Sequence, residues 1–472
     1  MKKRLLAGVA SLGLLGALVT VASCSDDSLD GTLSATTGTG GKGSSTSNAS
    51  TSNGFSDVSA SSGTPCVGLQ CQIHQCTGGG HTTIKGTIYD PAGKNPLYGV
   101  VAYVPNSTPQ PFTQGASCDS CADLYTGDPI AAAVTDAQGN FTILDAPDGK
   151  DIPLVIQVGK WRRQFVIPEV TQCGDTTVQQ KLTLPKNGTE GDIPQIAVST
   201  GGADTLECLL SRIGIDKSEY GPGAGGAGHI HIFHGAGGPD TSPGAPDSND
   251  ALWDKAEDIM KYDIVVLSCE GDETSNMNQQ VLFDYAAAGG RVFASHFHYA
   301  WFNTGPFGDK NLASWVTGSN DIGNIQANVV TTDWAGMPFA RGQALQDWLK
   351  NVSALDNNNK LPIQAARHNA DVAATNTISQ PWIVAEDGPT QDFSFDTPLG
   401  VEPEKQCGRV VYSDMHVGAA ANDYDNQNTT PGGCAEQDLS PQEKALEFIL
   451  FDLSSCVTPN NIPMQPPGEP PQ

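Results

Sequence analysis

At 472 residues, with 52 acidic against 25 basic side chains, the chain carries a formal charge of −27. That balance excludes the basic footprint a nucleic-acid partner requires. A hydrophobic content of 38% over this length allows two or three packed domains, and 12 cysteines point away from a reducing cytosol.

Lys2, Lys3 and Arg4 precede a nearly unbroken run of apolar and small residues from Leu5 to Val21, the pattern of an export signal spanning residues 1–23. The run ends in Val21-Ala22-Ser23-Cys24, which resembles the lipobox of bacterial lipoproteins. The resemblance implies cleavage before Cys24 and acylation of both its thiol and the new N-terminus. Several acyl chains give a lasting membrane hold that one chain does not. The alternatives are an uncleaved anchor or a secreted protein with a coincidental cysteine. Ser25, rather than Asp, is similar to an outer-membrane sorting pattern, so the expected location is the outer membrane or cell surface. Loss of the leader removes three basic residues and no acid, leaving the exported form more acidic still, which suits solubility. Residues 24–65 are mostly Ser, Thr, Gly, Ala and Asn and read as a flexible tether; the Pro-rich residues 459–472 read as a disordered tail.

Residues 66–186 read as short strands broken by turns. Ile84, Gly86 and Ile88 alternate with Lys85 and Thr87, Val100–Val104 follows, and Thr135-Asp136-Ala137-Gln138-Gly139-Asn140-Phe141 is a hairpin signal. Together with Lys85–Asp90 and Pro96–Val100, these residues resemble the carboxypeptidase regulatory-like family, a transthyretin-like β-sandwich. The resemblance implies an accessory module without chemistry of its own, serving as a spacer or as a binding surface for carbohydrate or a cell-envelope protein. Pro105–Pro129, carrying Cys118 and Cys121, departs from that family as an insertion.

Residues 187–458 alternate strands with helices. Ile193–Val198, His229–Phe233, Tyr262–Ser268, Arg291–Ala294 and Arg409–Tyr412 read as strands. Asp204-Thr205-Leu206-Glu207 and Ser440-Pro441-Gln442-Glu443 read as capping boxes, and Leu252–Met260 and Asn278–Ala288 as helices, the latter stopped by Gly289-Gly290. The expected architecture is therefore multidomain: a small all-β sandwich followed by an α/β open parallel-sheet, flavodoxin-like domain. Its site would lie at the carboxyl ends of the strands. Tyr262–Leu267, Tyr285–His296 and Cys407–His416 resemble the class I glutamine amidotransferase-like fold, closest to its ThuA-like branch, while Asn311–Glu404 fits it poorly.

In amidotransferases a cysteine occupies the elbow after the Gly-Gly-strand unit; here that position is His296, so the nucleophile of glutamine hydrolysis is missing. What remains at predicted strand ends is polar: His229, His231, His234, Cys269, Glu270, His296, His298, Tyr299, Asp414 and His416. In extended strands the pairs His296/His298 and Asp414/His416 would each face one side and could offer zinc or another divalent ion its ligands. A carboxylate-oriented base is the other arrangement, with Glu270 and Cys269 nearby. Two readings follow: a non-catalytic binding or structural lipoprotein, and an extracytoplasmic, metal-assisted hydrolase of sugar-type or other small polar substrates. With Cys24 acylated, 11 cysteines remain. Cys66, Cys71, Cys76, Cys118, Cys121 and Cys173 could close three bridges within the β-module. Cys208 with Cys456 and Cys407 with Cys434 would follow, leaving Cys269 as the free thiol.

Overall fold

The computed structural model describes residues 66–235, 244–418, 433–459 and 462–466. The expected export signal, Cys24, the expected tether and most of the expected tail lie outside them. In chain order, the first eight strands are β1 (Thr83–Tyr89), β2 (Val101–Pro105), β3 (Pro129–Val134), β4 (Asn140–Ile143), β5 (Gly149–Val158), β6 (Trp161–Val170), β7 (Asp175–Thr177) and β8 (Leu182–Thr183). β1 pairs with β4, β7 and β8, and β3-β2-β5-β6 form a second sheet. The hairpin signal before β4 has a physical basis: Asp136 Oδ1 accepts the backbone N–H groups of Gln138 and Asn140, both at 2.9 Å, while Gly139 takes φ +74°. Alternating residues of both sheets, including Ile84, Ile88, Phe141, Leu154 and Ile156, enter one buried cluster. Each such side chain contributes about 1.5–3 kcal/mol on leaving water.

The next strands are β9 (Ile196–Ser199), β10 (Tyr220–Pro222), β11 (Ile230–Phe233), β12 (Ile264–Leu267), β13 (Arg291–Ser295), β14 (Ser314–Trp315), β15 (Asp321–Val329), β16 (Leu361–Arg367), β17 (Ala370–Asp371), β18 (Ser379–Ala385), β19 (Thr390–Thr397) and β20 (Gly408–Ser413). Ten of them form one sheet in the order β10-β11-β9-β12-β13-β20-β19-β18-β15-β16. The run from β10 to β20 is parallel, as the βα alternation implied. From β20 to β16 every pairing is antiparallel, so the sheet is mixed and not the wholly parallel one expected. Residues 311–404, which fitted the αβ pattern poorly, supply this antiparallel half and the small β14–β17 pair.

The last helix, Pro441–Ser454, begins with the expected capping box: Ser440 Oγ accepts from Glu443 N–H and the Glu443 carboxylate from Ser440 N–H. Glu443 is also ion-paired with buried Arg212 at 2.6 Å. No capping box forms at Thr205; instead Asp204 Oδ1 accepts the backbone N–H of Thr205 and of distant Val417. The helix expected over Leu252–Met260 is two single turns, Ser248–Ala251 and Ala256–Ile259. Phe448 of the last helix stacks on Tyr98 at 5.6 Å and Phe451 meets Trp161 edge-on at 5.8 Å, so residues on both sides of position 186 share one core, and the described residues form one compact unit.

The disulfides correct the expected pairing. Cys66–Cys71 and Cys76–Cys173 stay within the first part, but Cys118 joins Cys407, Cys121 joins Cys456, and Cys208 joins Cys434. The insertion 105–129 thus reaches the second part of the chain and is tied to it twice, once just before β20 and once just beyond the last helix. Counting within each segment missed this because distance along the chain says nothing of which loops meet once both parts pack on one helix. Among the described residues Cys269 is the free cysteine.

Candidate metal centre

β12, β13 and β20 lie side by side and parallel, so the residues just beyond their carboxyl ends converge. Cys269 follows β12, His296 follows β13 and His416 follows β20. One potential ligand atom of each lies within 4.8 Å of the others, and all three residues are buried. The Cys269 backbone N–H donates to Ser295 Oγ at 2.9 Å, and its Sγ is 3.2 Å from His296 Nδ1. His296 sits at a sharp strand-to-helix elbow with φ +43°, a conformation costly for a residue with a Cβ.

The outward-facing nitrogens are held by carbonyls. His296 Nε2 lies 3.1 Å from Ser319 O and must carry the proton, which leaves the Nδ1 lone pair facing the thiol. His416 bonds to the backbone of Ala365, a residue at φ +50° in β16, and its Nε2 is buried without a hydrogen-bond partner. The two imidazoles meet edge to face at 4.9 Å. Burial, reinforced by His416, lowers the His296 pKa to about 3; burial also lowers that of His416 to about 4 and pushes the Cys269 thiol up to about 12. Two neutral imidazoles with available lone pairs and a neutral thiol are the protonation states a metal ion requires or displaces. His298 Nε2 and His231 Nε2 are buried without a partner too, so it is the convergence of three donors that marks the site. Together these residues could hold a metal ion.

The set expected from sequence, His296, His298, His416 and Asp414, is thereby revised. Residues 296–301 form a 3-10 helix, so His296 and His298 do not share a face as they would in a strand. His298 turns away, its Nδ1 bonded to Ser295 O at 3.0 Å. Asp414 is structural: Oδ2 accepts from the N–H of Asn369 (2.7 Å) and Ala370 (3.2 Å), and Oδ1 from the Tyr412 hydroxyl (2.8 Å). Burial raises its pKa to about 7. Glu270 is buried with Oε1 against Gly235, outside the group. His229, His231 and His234 pair elsewhere, with Glu219, Tyr262 and Asp247, and the Tyr299 hydroxyl donates to Glu273. Ser319 and Ala365, which orient the two rings, come from the segment the sequence pattern did not place; no local signal marks a carbonyl as a ring anchor.

No protein-family model matches the sequence, and no curated protein matches it. Among solved structures, a putative GMP synthase subunit from Thermoplasma acidophilum is 10% identical over 55% of this chain and 92% of its own, with a TM-score of 0.28. A cohesin–X-dockerin complex from Acetivibrio cellulolyticus is 17% identical over 30% of this chain and 77% of its own, with a TM-score of 0.16. A 9R-lipoxygenase from Cyanothece is 18% identical over 25% of this chain and 19% of its own, with a TM-score of 0.14. At these scores none carries an argument about activity.

Proposed function

We propose that the chain is a cell-envelope lipoprotein, anchored through Cys24, that joins a transthyretin-like β-sandwich accessory module to an amidotransferase-like α/β domain and binds zinc at Cys269, His296 and His416. The convergence of these three buried donors carries the reading. Five disulfides suit an oxidising compartment, and no helix among the described residues is long and apolar enough to cross a membrane. A thiolate with two imidazoles is a donor set zinc favours. Glutamine hydrolysis does not suit the site, because a histidine stands at the elbow and the one free thiol is protonated by burial.

The depth of the donors, each no more than 3% exposed, favours a binding or structural role over turnover. A second reading, an extracytoplasmic hydrolase, draws on the donor count: three protein ligands characterise catalytic zinc sites, where the ion supplies Lewis acidity. In either case Ser319 and Ala365 orient the rings, and Ser295 positions the cysteine backbone.

Metal analysis of the purified full chain tests the proposal. About one equivalent of zinc is expected, falling sharply in Cys269→Ser and His416→Gln and unchanged in His298→Gln, with a thiolate-to-cobalt charge-transfer band in the cobalt form that Cys269→Ser abolishes. Absence of metal after incubation with zinc, or equal metal in all variants, would refute it. A hydrolytic screen of wild type against His416→Gln separates the two roles.

A further inference from the structure

Of the seven tryptophans, Trp334 alone is largely exposed, at 56%. It stands on a braced turn: Asp333 Oδ1 accepts the backbone N–H of Ala335 at 2.9 Å and of Met337 at 2.8 Å, and Gly336 adopts φ +74°. The backbone that carries the indole is therefore held in place, and a large apolar ring in water is unfavourable unless something covers it.

It borders a cleft of about 490 Å³ whose walls include Thr377, Ser379, Gln380 and Gln406. That volume lies within the range of small-molecule sites. Its charged lining residues are Asp333 and Asp396, the latter ion-paired with buried Arg409 at 2.7 Å, and among the described residues no Lys, Arg or His lines it, so an anionic ligand would meet no countercharge. A wholly apolar ligand would cover hydroxyl and amide groups without satisfying them. A pyranose ring meets both demands: its C–H face lies on an indole, and its hydroxyls donate to and accept from amide and hydroxyl groups. From this juxtaposition of an exposed tryptophan on a braced turn and a wall of hydroxyl, amide and carboxylate groups without a cation, we propose that the cleft is a binding site for a neutral saccharide. It lies at the opposite end of β20 from the metal centre, since Gln406 precedes that strand and His416 follows it, so it stands or falls independently of zinc.

Because the other tryptophans are buried or half-buried, acrylamide quenching of the full chain in detergent reads Trp334. The probes are cellohexaose, xylohexaose, mannohexaose and chitohexaose, with hexagalacturonate and a decaproline peptide as competing chemistries. At least one neutral hexasaccharide is expected to halve the quenching constant, and calorimetry should show its affinity falling about tenfold or more in Trp334→Ala, with the melting temperature unchanged. Failure of all four neutral probes, protection that survives Trp334→Ala, or protection by hexagalacturonate or decaproline instead would overturn the proposal.

Discussion

Substituting Cys118 and Cys407 by alanine, singly and together, tests the clamp between the insertion and the second part of the chain. This bridge joins residues 289 positions apart, which the chain-entropy treatment would value at about 5.7 kcal/mol were it the only one. It is not. Cys121–Cys456 already holds the same two segments together, so the effective loop runs only from 118 to 121 and from 407 to 456. A loop of about 50 residues is worth about 4 kcal/mol, an upper value where the unfolded chain keeps structure. Each single variant should lose about that much in urea unfolding under non-reducing conditions and expose one free thiol beside Cys269. The double variant should lose scarcely more, because the second substitution removes a partner already unpaired. Under the pairing expected from sequence, the two cysteines belong to different bridges and their losses would add. Additive losses, or no change in free thiol in either single variant, would refute the clamp.

Asp414→Ala strands two backbone donors and a tyrosine hydroxyl in the interior, so stability should fall by about 3 kcal/mol or more while zinc content holds; loss of zinc without loss of stability would restore Asp414 as a ligand. Glu447, midway along the last helix, accepts from Asn95 Nδ2 at 2.7 Å and shares a hydrogen bond with Asp90, which follows β1; both carboxyls are buried. Burial raises the Asp90 pKa to about 6 and that of Glu447 well above its usual value. Below about pH 4 both are protonated whether folded or not; as pH rises, the unfolded chain releases protons the folded one retains, and stability declines by about 1.4 kcal/mol per unit per group. Glu447→Gln should flatten that decline between about pH 4 and 6; an unchanged slope in urea unfolding against pH would show the pair is not responsible.

Where the signal was local, the sequence was legible. Asp136 and Gly139 announced their hairpin, Ser440 and Glu443 their helix start, and the apolar run Ile264–Leu267 its buried parallel strand. The site was half legible for the same reason. His296 and His416 could be placed at strand ends, but their relation to Cys269 depended on strand order, and that of His298 on a 3-10 turn that no periodicity marked.

What the sequence determined by itself is what neighbours along the chain decide: turns, caps and strand candidates. Tertiary structure decided what requires distant segments to meet. Residues 311–404 added four antiparallel strands to the large sheet because β20 offered an unpaired edge for β19. Cys118 and Cys121 crossed to Cys407 and Cys456 because the last helix draws both parts into one core. Cys269, His296 and His416 gathered because β12, β13 and β20 are neighbours in space, though up to 147 residues separate the three side chains in sequence.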